Sequence, residues 1–117
     1  MKNIILAIAF CFSAISVFAQ KHFEGAWISD ESNYITTITN GEYGVSSVTN
    51  FNPWTGDTIK EKIISRKKNK FTTELFNKSN GYSVTVEYKM KHKDTLVCKF
   101  EGDLNKEITH IRFNNYQ

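Results

Sequence analysis

Residues 82–90 read Tyr-Ser-Val-Thr-Val-Glu-Tyr-Lys-Met, and no other stretch constrains the fold so tightly. Tyr82, Val84, Val86, Tyr88 and Met90 share one parity, while Ser83, Thr85, Glu87 and Lys89 share the other. Successive side chains of a strand point to opposite faces, so this segment has one dry wall and one wet one. The two-residue period recurs along the chain after residue 20, with no helical spacing. The candidate strands are 23–29, 34–39, 43–51, 58–65, 70–76, 82–90, 95–101 and 106–113.

The breaks between them have turn chemistry. Asn40-Gly41 and Asn80-Gly81 are dipeptides that accept positive φ in tight hairpins. Pro53-Trp54-Thr55-Gly56 joins a residue that pre-sets φ to one that tolerates a left-handed position. Residues 66–69, 91–94 and 102–103 are polar interruptions. Every connection is too short for a parallel crossover, so neighbours pair antiparallel as a meander. Eight such strands leave two open edges unless they close, and closure into an up-and-down barrel removes both. An open curved sheet or a sandwich is the alternative.

The first 19 residues read as an export signal. Met1-Lys2-Asn3 is a short positive start, 4–18 is almost wholly apolar, and Val17-Phe18-Ala19 offers a cleavage site that leaves Gln20 first. The apolar run is about 15 residues, short of the roughly 20 that a spanning helix needs. An uncleaved anchor is the alternative. A lipoprotein is disfavoured because Phe10 precedes Cys11 where lipidation wants a small residue. A secreted or periplasmic protein is expected, with no transmembrane segment in the mature chain. The 117-residue chain less this leader leaves one domain, residues 20–117.

Cleavage removes Cys11, so Cys98 is the sole thiol and no internal disulfide forms. The 15 Lys and Arg against 12 Asp and Glu fall to 14 with the loss of Lys2. That balance is too weak to argue for nucleic acid. The charges nonetheless sort by end. One end of a closed meander gathers Asp30, Glu31, Asp57, Glu101 and Asp103, with Lys78 the exception and Trp54 on its rim. The other gathers Arg66, Lys67, Lys68, Lys70, Lys91, His92 and Lys93, with Glu42 and Asp94 opposing them. Arg66, Lys67, Lys68, Lys91 and Lys93 are therefore candidates for contact with an anionic surface or an acidic envelope partner.

Gly25-Ala26-Trp27 opens the first strand and Arg112 lies on the last. This pattern resembles the lipocalin and calycin family, in which a Gly-x-Trp packs against an Arg of the closing strand. The resemblance implies that Trp27 and Arg112 plug the basic end and that the acidic end is the mouth for a small apolar ligand. Strand alternation alone leaves either Arg112 or its neighbours Ile111 and Phe113 facing in. Inward candidates nearest such a mouth are Phe51, Leu75, Tyr82, Val84 and Phe100, with Trp54 at the rim and Tyr82 offering a hydrogen bond. Alternatively, aromatics fill the narrow lumen of an eight-stranded barrel completely.

Signals for chemistry are sparse. His22, His92 and His110 lack metal-ligand spacing, and no phosphate-binding loop or nucleophile elbow occurs. Cys98 alternates with Leu96 and Phe100 and reads as a small buried hydrophobe. No cofactor and no catalysis are expected. The reading is an exported, non-catalytic binding protein holding a small apolar or amphipathic molecule. The alternative is a solid-core envelope adaptor or inhibitor that acts through its basic hairpin end.

Overall fold

The computed structural model describes residues 21–78 and 80–113, so the leader expected at 1–19 lies outside the described residues. Eight antiparallel strands follow a three-residue 3-10 turn, Lys21–Phe23. They are β1 (Gly25–Ser29), β2 (Ser32–Gly41), β3 (Gly44–Phe51), β4 (Thr58–Arg66), β5 (Lys70–Asn77), β6 (Tyr82–His92), β7 (Thr95–Gly102) and β8 (Lys106–Arg112). Each pairs with the next, and β8 returns to β1 through Trp27↔Arg112 and Ile28↔Ile111. The meander closes into a barrel, and no strand is left with an unpaired edge.

Closure needs curvature, which the register shifts supply. They fall at Trp27/Ser29, Thr39/Asn40, Ile63/Ser65 and Met90/His92. Each unmatched residue bends its strand and tightens the twist. Along β6 the burial follows the sequence period, with Val84, Val86 and Tyr88 at 2% exposure or less.

Two local expectations are corrected. Phe23 does not begin a strand: it ends the 3-10 turn, and its ring is buried at the closed end of the barrel. The Asn40-Gly41 pair is not the turn. Gly41 still pairs with Gly44, the loop is Glu42-Tyr43, and the positive φ sits at Gly44, at 106°. A bulge at Ser46 of β3, opposite Thr39 and Asn40, lets the pairing continue beyond the dipeptide. At the other two turns the glycine adopts the expected conformation, with Gly56 at 81° and Gly81 at 74°. Asn52 organises the former, accepting from Trp54 N through Oδ1 at 2.9 Å and from Gly56 N through its carbonyl at 2.7 Å.

The connections 30–31, 52–57, 78–81 and 103–105 lie at one end, and 42–43, 67–69 and 93–94 at the other. The second end is closed. Trp27, fully buried, donates Nε1–H to the Phe23 carbonyl at 2.9 Å. Phe23 meets Phe71 edge-on at 4.9 Å between centroids, and Phe71 stacks on Tyr88 at 4.5 Å. Arg112 covers the assembly, its guanidinium carbon 4.3 Å from the Trp27 ring centroid. It is the inward residue of its strand end, while Ile111 and Phe113 face out.

Candidate functional site

Above that aromatic stack the barrel is hollow. A cavity of about 450 Å³ opens toward the 30–31 and 103–105 connections. Ile59, Leu75, Tyr82, Phe100, Leu104 and Ile108 give its upper wall apolar surface, and Glu31, Ser32, Tyr34, Asn77 and Asn80 also line it. Its floor is polar, formed by Thr36, Asn50, Glu61, Tyr88, Cys98 and His110.

Strand parity places the floor. Glu61 shares an inward face with Ile59 and Ile63 on β4, and Thr73 lies between inward Phe71 and Leu75 on β5. Asn50 follows Val48 on β3 in the same way. Glu61 is therefore only 8% exposed, and three donors converge on it. Tyr88 Oη donates to Oε1 at 2.6 Å, Thr73 Oγ1 to Oε1 at 2.5 Å, and Asn50 Nδ2 to Oε2 at 2.6 Å. Thr36 Oγ1 donates in turn to Asn50 Oδ1 at 2.7 Å. All four hydrogen bonds run toward one carboxylate, the arrangement that best satisfies a buried anion.

The electrostatics follow from burial and from that charge. Tyr88 is held well above the usual tyrosine range, first by desolvation and then by the Glu61 charge. Burial, reinforced by Glu61, likewise pushes the Cys98 thiol up. Burial lowers His110, outweighing a backbone hydrogen bond at Ile108. Cys98 Sγ lies 3.4 Å from His110 Nδ1, a neighbour that sequence spacing did not reveal. A reactive thiolate needs an electropositive setting, and this pair sits in the opposite one as neutral thiol and neutral imidazole. Among the described residues, no group of three or more His, Cys, Asp or Glu is placed to hold a metal ion.

Of the six expected ligand contacts, Leu75, Tyr82 and Phe100 line the cavity. Val84 points inward but is sealed in the core at 2% exposure. Phe51, expected inward, faces out and is 43% exposed, because Val48 and Asn50 take the inner parity of β3. Trp54 is 84% exposed on the 52–57 loop and does not line the cavity, so it forms no wall opposite Tyr82.

The plug pair is in contact as the resemblance implied. Arg112 also donates from Nη1 to the Glu24 carbonyl at 2.6 Å and from Nη2 to the His22 and Lys93 carbonyls, each at 2.9 Å. Asp94 accepts from its Nε at 3.1 Å. Gly25, at φ 138°, admits that approach: a Cβ there would stand 2.5 Å from Arg112 Nη1.

Arg66, Lys67, Lys68, Lys91 and Lys93 are exposed around the closed end. Arg66 is partly committed, donating Nε–H to the Val45 carbonyl at 2.6 Å.

Sequence reasoning missed Thr36, Asn50, Glu61, Thr73, Tyr88 and His110 as one cluster. The available signal was parity, since each polar group of the floor occupies a position whose neighbours two residues away are apolar or face the lumen. Comparison of the chain with known protein families, with characterised proteins and with solved structures finds no match.

Proposed function

We propose that this is an exported, non-catalytic binding protein of lipocalin-like kind, carrying a small amphipathic molecule inside the barrel. The observation that carries the reading is the cavity itself, an apolar upper wall over a hydrogen-bonding floor, closed below by Trp27 and Arg112 and open above. The Gly25-Ala26-Trp27 and Arg112 contact supports kinship with the lipocalin and calycin family. The outer wall supports residence in water, because Lys60, Lys62, Glu74, Lys99 and Glu107 stand exposed on it. A lipid-facing barrel instead carries an apolar band. The protonated thiol beside a neutral imidazole supports a site that binds rather than reacts.

Titration of the purified protein with fatty acids, retinoids and hydrophobic dyes, followed by intrinsic and dye fluorescence, tests this reading. Saturable one-to-one binding that Leu75→Trp abolishes is the expected result. Silence across the panel overturns it.

A second reading draws on the exposed Lys67, Lys68, Lys91 and Lys93 at the closed end: contact there with an acidic envelope protein or an anionic surface. Reversing these four charges abolishes a salt-sensitive association on that reading. No association at low salt overturns it.

A further inference from the structure

The Glu61 carboxylate is almost fully buried, yet among the described residues its hydrogen-bonding side chains are all neutral: a phenol, a hydroxyl and a primary amide. Among the described residues, no Lys or Arg lines the cavity. The other carboxylate of the lining, Glu31, is at the rim, half exposed and already paired with Lys106 at 3.1 Å. His110, the remaining nitrogen base of the lining, is held neutral by its burial. Buried charges in proteins are ordinarily paired, because neutral donors replace only part of the lost hydration. The two oxygens are also unequally used: Oε1 accepts two hydrogen bonds from side chains and Oε2 one. An acceptor position on Oε2 therefore remains for a further donor.

We propose that the ligand supplies the missing countercharge: an amphiphile whose protonated amine seats on Glu61 while its apolar body lies along Leu75, Tyr82 and Phe100. The assignment rests on the binding reading above and narrows it to a chemical class. A carboxylate head group, as on a fatty acid, brings a second anion to a floor on which the described residues place no Lys or Arg. A cationic head gains a charge-assisted hydrogen bond at the same position.

Calorimetric titration of the full-length protein with decylamine, decanol and decanoic acid separates head group from tail. The amine is expected to bind about tenfold or more tightly than the alcohol, and the acid more weakly than both. Glu61→Gln brings the amine to within about threefold of the alcohol measured on the same variant. Leu75→Trp abolishes binding of all three. An acid that binds as well as the amine overturns the cation assignment and leaves the binding reading standing, as does an amine preference that survives Glu61→Gln. Amine binding that survives Leu75→Trp places it on the outer surface and also overturns the assignment. No heat from any of the three overturns the binding reading itself. Should Glu61→Gln fail to fold, the order of the three ligands on the unaltered protein decides the matter.

Discussion

Tyr88 joins the two halves of the barrel interior: its hydroxyl donates to Glu61 across 2.6 Å while its ring stacks on Phe71 at 4.5 Å and 9°. The ring belongs to the plug and the hydroxyl to the cavity floor. Tyr88→Phe keeps the stack and removes one donor, so it lowers stability by about 1–2 kcal/mol. Glu61→Ala strands three donors and costs more, about 2–4 kcal/mol, the cavity allowing water to satisfy part of the loss. Urea denaturation of both variants checks the order, and a smaller loss for Glu61→Ala contradicts it.

Acid sensitivity follows from His110, whose burial lowers its proton affinity in the native state below the ordinary histidine value of about 6.5. As pH falls through about 6.5, the unfolded ring takes up a proton that the folded ring refuses. Stability therefore drops with falling pH in that range and levels only once the native ring protonates. The His110→Gln variant has a flatter dependence of the urea midpoint between pH 7.5 and 5. An unchanged slope shows that other groups carry the effect.

The plug depends on a planar fork rather than on a positive charge. Arg112 spans the Glu24, His22 and Lys93 carbonyls while lying over Trp27, and Lys has neither the reach in three directions nor the flat face. Arg112→Lys is expected to cost about 1–2 kcal/mol, from the net worth of the exposed carbonyl hydrogen bonds and the stacking over Trp27 that Lys makes less well. Gly25→Ala is destabilising as well, through its positive φ and its approach to Nη1. Thermal unfolding of the two variants reads both effects.

Cys98 is 1% exposed and its thiol is pushed up by burial and by Glu61. An aromatic disulfide reagent reacts with the native protein about tenfold or more slowly than with the urea-unfolded chain. Glu61→Gln removes the opposing charge and speeds the native reaction. Rapid native labelling with no response to Glu61→Gln contradicts the electrostatic account.

Much of the architecture was legible without coordinates. The parity of Tyr82 through Met90 defined the inner face of β6, and connections too short for crossovers forced an antiparallel meander. Which connections gather at each end followed from connectivity alone. Local chemistry misled where tertiary pairing overrode it. Asn40-Gly41 has the composition of a turn, yet a bulge at Ser46 on the facing strand carried the pairing on to Gly41↔Gly44. Phe51 is apolar and Asn50 polar, yet the register of β3 turned Asn50 inward and Phe51 to the surface.

The same distinction separates the scaffold from its site. Hydrophobic alternation and turn chemistry are local properties, so the sequence by itself determined the strands and their order, while the closed barrel decided that Arg112, not Ile111 or Phe113, turns in over Trp27. The floor is not local. Thr36, Asn50, Glu61, Thr73 and Tyr88 come from five different strands, and Cys98 meets His110 across two more. A polar residue on an inward parity is unfavourable alone and becomes acceptable only when other strands bring it partners. That compensation exists only after the barrel has closed, which is why the tertiary structure alone decided where the lumen stays open and what its floor can hold.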